Sequence, residues 1–136
     1  MDAAEALADL VELSPEVEAA AVFRDGEVLG AVGLGDDAAG RLVADAGRLL
    51  DAAAGLRSDG SRVTQLRAAL GEGSVFVVRE PEGERAAVAV TSPRVTPGLL
   101  FYDLKRALAA LVDESAPKPR RRRAKKQEEE DAGDAA

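Results

Sequence analysis

At 136 residues with 46% hydrophobic side chains, the chain has room for one domain and a tail. It contains no cysteine and no histidine, which excludes disulfides, thiolate metal sites and every nucleophilic arrangement that needs an imidazole. The net charge of −7 is uneven: residues 117–136 carry seven Lys/Arg against five Asp/Glu, residues 1–116 carry eleven against twenty, and an acidic body makes a poor nucleic-acid surface.

The N-terminal segment MDAAEALADLVEL begins acidic and lacks the basic-then-apolar order of a signal peptide. No apolar run approaches the roughly 20 residues of a membrane span. The expectation is a soluble cytoplasmic protein. Residues 3–13 place Leu7, Leu10 and Val11 on one helical face, and Ser14-Pro15 ends that helix. The run EAAAVFR then reads as a strand, followed by Asp25-Gly26 and EVLGAVG. Asp-Gly between two apolar runs is a hairpin signal, because both central residues of a type I′ turn need positive φ.

Residues 37–56 carry a helical pattern without proline. Arg41, Asp45 and Arg48 form a narrow polar stripe spaced for ion pairs. The apolar arc is wide: Leu42, Leu49 and Leu56 make one line, Val43, Leu50 and Ala54 another, with Ala46 and Ala53 between them. It exceeds the stripe of about 100° expected of a helix packed on one surface. Gly40, Gly47 and Ala54 recur every seven residues along its edge. The pattern fits a helix well buried on its own sheet, or one that also faces a second copy of itself.

Three strands follow, in SRVTQLRAAL, SVFVVRE and RAAVAVT, separated by Gly71-Glu72-Gly73 and Pro81-Glu82-Gly83. The first carries Arg62, Gln65 and Arg67, charge and polarity that guard a sheet edge or let it pair selectively. Thr96-Pro97 opens the last helix, with threonine at the N-cap and proline at the first helical position. Leu100, Leu104, Leu108 and Leu111 form its buried stripe, with Phe101 alongside. The order helix-strand-strand-helix-strand-strand-strand-helix predicts an α+β fold, a five-stranded antiparallel sheet with helices on both faces. Phe23, Phe76, Phe101 and Tyr102 are the only large rings, so the core is built from small residues and gains from self-association.

The domain is expected to span residues 1–115. Residues 116–136 hold two prolines, no large apolar side chain, and a basic block followed by an acidic one, a composition that cannot bury enough surface to fold. The block of Arg120, Arg121, Arg122, Arg123, Lys125 and Lys126 is a candidate contact for an anionic surface, nucleic acid or membrane. The acidic residues at 128–131 lie close enough to offset it within a Debye length of about 8 Å.

The glycine-rich stretch GAVGLGDDAAG at 30–40 invites comparison with phosphate-binding loops. A P-loop needs lysine and a hydroxyl after its last glycine; here Arg41 and Leu42 follow Gly40. A dinucleotide fingerprint built on Gly33 and Gly35 would need a third glycine where Ala38 stands. Asp36 and Asp37 suit a helix N-terminus and would repel phosphate. Asp36/Asp37 and Glu82/Glu84 are read as solvated acids of caps and turns rather than acid-base or metal pairs. No catalytic residue, cofactor, metal or small-molecule substrate is expected.

The stretch LADLVELSPEVEAAAVFRDGEVLGAVG resembles the opening of the Roadblock / dynein light-chain family, and VTPGLLFYDLKRALAAL resembles its closing segment. The element order agrees over about residues 3–113. The resemblance implies a non-catalytic dimer in which central helices pair and third strands join into one sheet. On this chain that arrangement would engage Gly40, Val43, Gly47, Leu50 and Ala54 of the helix, and Arg62, Thr64 and Leu66 of the strand. Family members regulate or scaffold small Ras-like GTPases, Rag-type GTPases and dynein motors. The alanine- and arginine-rich composition suggests a GC-rich bacterial source, which favours the GTPase side. The expected partners are therefore a second copy and a small GTPase. A scaffold without effect on any GTPase, and a dimeric binder of anionic surfaces acting through the tail, stand as alternatives.

Overall fold

Asp2 caps the first helix, α1 (Ala3–Leu13), through a reciprocal pair of bonds: its carboxylate accepts from Glu5 N, and Glu5 accepts from Asp2 N, both at 2.9 Å. The structure, a computed structural model, describes residues 1–56, 59, 60 and 62–111. After α1 come β1 (Val17–Arg24) and β2 (Glu27–Val32), joined by Asp25 and Gly26 at φ 51° and 80°, the positive values of the predicted hairpin. Then follow α2 (Asp36–Ala54), β3 (Gln65–Leu70), β4 (Gly73–Arg79), β5 (Arg85–Thr91) and α3 (Pro97–Ala109). The five strands form one antiparallel sheet in the order β2-β1-β5-β4-β3. The predicted α+β architecture is the one observed. The tail expected from residue 116 lies outside the described residues.

Each face of the sheet has its own core. On one, Leu7 and Leu10 of α1 and Leu100, Leu104 and Leu108 of α3 close over Val22, Phe76, Val78 and the alanines of β1 and β5. Phe76 and Phe101 meet edge-to-face, ring centroids 5.0 Å apart. On the other, Val43, Ala46 and Leu50 of α2 cover Ala21, Phe23, Val77 and Val88. Strands β1 and β5 are buried on both sides, which is why they read as continuous apolar runs rather than alternating ones. Each fully buried Val, Leu or Phe contributes about 1.5–3 kcal/mol.

Polar details depart from expectation in two places. Thr96 stands at the N-cap of α3 with Pro97 next, but its hydroxyl makes no capping bond. Within the leucine stripe of α3, Asp103 is buried and its Oδ2 accepts a 2.7 Å bond from Ser14 Oγ at the end of α1. That bond ties α1 to α3 and satisfies both groups inside the helix layer.

The glycine corner between β2 and α2 is a packing device. Gly33 has φ 76°, and a Cβ there would collide with the backbone carbonyl of Glu18 and crowd Ala19 Cα at 3.1 Å. Gly35 is the extended N-cap of α2, with open space around it and no side chain to bond the helix. Asp36 and Asp37 occupy the first turn and complement its dipole. Gly33→Ala should therefore cost about 2 kcal/mol or more, from left-handed backbone strain and overpacking together. Gly35→Ser should leave stability unchanged or raise it by a few tenths of a kcal/mol, by supplying a capping hydroxyl. Urea unfolding of the two variants checks both signs.

Candidate interaction surface

Five strands spaced about 4.8 Å apart make a sheet about 19 Å across, and a helix with its side chains covers about 10 Å. Two helices therefore suffice for the α1–α3 face, and one does not suffice for the other. α2 rests on β2, β1 and β5. Register places Leu66 opposite Val77 and Ala68 opposite Val75, so Leu66, Ala68 and Leu70 share the α2 face with those valines. Of these only Val77 is fully buried; Leu70 is 63% exposed. Leu49 of α2 and Leu56, two residues past its end, are 38% and 85% exposed. β3 is also an outer strand of the sheet, with one backbone edge unpaired.

Two arginines set the entry to β3 in place. Arg79 donates from Nε and Nη2 to Val63 O at 3.1 and 2.7 Å, while its own N–H bonds Thr64 O at 2.8 Å. Arg62 reaches the other way, to the carbonyls of Glu80 and Gly83 in the β4–β5 turn. Burial, and next the neighbouring Arg62, hold the Arg79 guanidinium below its ordinary pKa. On the opposite face of β3, Arg67 lies 5.7 Å from the Phe76 ring centroid and bonds Ser74 Oγ. Residues 62 and 63 are thus bound through arginine side chains and Thr64 through the Arg79 backbone N–H, and the strand begins at Gln65, later than the sequence suggested.

The residues expected at a dimer interface fall in different environments. Val43 and Leu50 are buried against the chain's own sheet. The Arg62 guanidinium, though exposed, is occupied by the turn carbonyls. Gly40, Gly47, Ala54, Thr64 and Leu66 are all half-buried. A Cβ added at Gly40 or Gly47 would meet nothing within 4 Å, so nothing inside the chain requires glycine at either place. Leu49, Leu56 and Leu70 are among the exposed apolar residues that the sequence reading did not assign to the surface. The polar stripe behaves as read, with Arg48 paired to Asp45. The basic tail residues Arg120 to Lys126 lie outside the described residues.

Among the described residues no cluster of three Asp or Glu could hold a metal ion, and no helix is long and apolar enough to cross a membrane. No family model and no curated protein matches the sequence. Solved structures do match the fold. A Roadblock/LC7 domain from Streptomyces avermitilis is 24% identical, with a TM-score of 0.72 over 80% of this chain and 93% of that one. MglB in a tetrameric arrangement is 20% identical, with a TM-score of 0.62 over 80% and 84%. The gliding protein MglB from Thermus thermophilus is 19% identical, with a TM-score of 0.59 over 77% and 82%. Helix order, sheet and overall shape together give this chain the Roadblock/LC7 fold.

Proposed function

We propose that the chain is a non-catalytic member of the Roadblock family that forms a homodimer and binds a small Ras-like P-loop GTPase, modulating its nucleotide cycle or its location. The observation that supports the dimer is the partly covered apolar strip of Leu66, Ala68 and Leu70 on β3 and Val75 on β4, at an outer edge of the sheet. A twofold operation that sets two β3 edges side by side would extend the sheet and bury that strip on both copies at once. Gly40 and Gly47 would let the two α2 helices approach closely. The likeness to MglB in a tetrameric arrangement supports self-association of this fold. The GTPase rests on the family resemblance and on the likeness to a gliding protein.

Gly47→Glu separates folding from assembly. A Cβ at this position meets no atom of its own chain within 4 Å, and leaving glycine favours the helix by up to about 1 kcal/mol. The variant should keep its circular dichroism and fall to monomer mass in light scattering. If it remains dimeric, α2 is not in the interface.

The partner is tested by pull-down from native lysate with wild-type and Gly47→Glu bait, followed by GTP hydrolysis and nucleotide release of any GTPase recovered. Wild-type protein should change one of the two rates, and the monomeric variant should lose that effect. A GTPase that binds with both rates unchanged would favour a pure scaffold, and recovery of none would remove the GTPase from the reading.

A further inference from the structure

On the face of the sheet opposite α2, the helices α1 and α3 lie side by side and run in opposite directions. Ser14, just past the end of α1, bonds Asp103 midway along α3, while Asp2 and Ala3 at its start share a cleft with Leu111. A groove of about 180 Å³ runs between the two helices. Ala6, Leu10 and Ala107 are buried at its floor, and Leu13 stands 62% exposed at its rim. Leu99, also exposed, precedes Asp103 by one helical turn and so shares its side of α3.

Charge along this groove is one-sided. Glu5, Asp9 and Glu12 follow one another along the exposed side of α1, one turn apart, and Asp9 lines the groove. Among the described residues none of the three has an ion-pair partner. Like charges at that spacing weaken a helix, and Glu12 opposes the dipole of a last turn that holds no base. On α2, by contrast, Arg48 pairs with Asp45. Asp103 is 9% exposed and also lines the groove. Its only hydrogen-bond donor among the described residues is the neutral hydroxyl of Ser14. Arg106, one turn further on, lies over the Tyr102 ring, 5.9 Å from its centroid, and forms no ion pair with that carboxylate. An apolar floor, a row of acids without counter-charge and a buried carboxylate therefore meet in one place.

We propose that this groove docks an amphipathic helix of a partner protein, with apolar residues on Leu10 and Leu13 and a Lys/Arg row facing Asp9, Glu12 and Asp103. A helix suits the groove better than an extended segment, because its backbone groups are bonded internally and those of a strand would lie unpaired against two helices. α1 is 11 residues long, so an occupant of about three turns, apolar at i, i+3 or i+4 and i+7, spans it. The groove lies across the sheet from α2, so it stays open in the proposed dimer and does not depend on it. The chain's own basic block at 120–126 has no large apolar side chain to seat on the floor, which disfavours it as the occupant.

The test titrates the full-length chain with a synthetic helix of about 14 residues, leucines on one face and lysines on the other, and follows backbone amide resonances. The peptide should shift Ala6, Leu13 and Ala110; its leucine–glutamate analogue and a polylysine without leucine should not. Asp9→Asn with Glu12→Gln should weaken binding about tenfold in about 0.1 M salt, the scale of two exposed ion pairs. Glu82→Gln with Glu84→Gln removes the same charge from the β4–β5 turn and should leave affinity within about twofold. Asp103→Asn keeps an acceptor for Ser14 Oγ while removing the charge, and should also weaken binding. Circular dichroism of all three variants should match wild type. Equal weakening by the 9/12 and 82/84 changes, equal binding of the glutamate analogue, or shifts confined to other surfaces would overturn the proposal. So would a groove already filled by the chain's own basic block, seen as a Leu13 resonance that moves when Arg120, Arg121, Arg122 and Arg123 are changed to glutamine.

Discussion

A single helix cannot cover one face of a five-stranded sheet, and the rest of this structure is arranged around that shortfall. α1 and α3 together close one side. On the other, α2 lies over β2, β1 and β5 and closes over Val77 of β4, leaving Leu66 and Val75 half-buried and Leu70 exposed. Isolated exposed leucines need no explanation, since much of any protein surface is apolar. Leu66 and Leu70, half-buried and exposed, differ because they lie on the outer strand itself, so apolar area and free backbone groups coincide. A second copy is the simplest cover that satisfies both.

The two sheet edges are not equivalent, and the difference favours β3 as the joining edge. β2 is flanked by α1 on one face and α2 on the other, with Gly30 so close to Ala3 that a Cβ there would lie 2.8 Å from the alanine methyl. β3 has no helix above it. Its entry is held by Arg79 and Arg62, and its far face carries Arg67 over Phe76. Arginine here does structural work that its charge conceals. The guanidiniums bind carbonyls and a ring, stiffening the strand without adding a residue to the ladder, and a stiff edge loses less entropy when it pairs.

Elements and order were legible because each carried a strong local signal: Asp25-Gly26 for the hairpin, Ser14-Pro15 and Thr96-Pro97 for helix ends, continuous apolar runs for strands buried twice. What could not be read was direction. The periodicity of residues 37–56 shows two apolar lines but not which one meets the sheet, and Val43 with Leu50 took the inner place while Leu49 and Leu56 took the outer. Charge was misleading in the same way. Arg62 looked available to a partner until its acceptors, eighteen and twenty-one residues away, came into view. Asp103 gave no warning at all, since its partner Ser14 lies 89 positions off in the chain.

The stretch GAVGLGDDAAG shows how glycine spacing and glycine function come apart. Phosphate loops use glycine so that backbone N–H groups can approach a ligand. Here Gly33 brings the chain against the backbone of β1 instead, and Gly35 turns it into α2. The two aspartates that follow complete the same helix end from the anionic side. A helix N-terminus already complemented by Asp36 and Asp37 repels the phosphate that an empty one would attract. The corner aims α2 along the sheet, and in the proposed complex the nucleotide belongs to the partner.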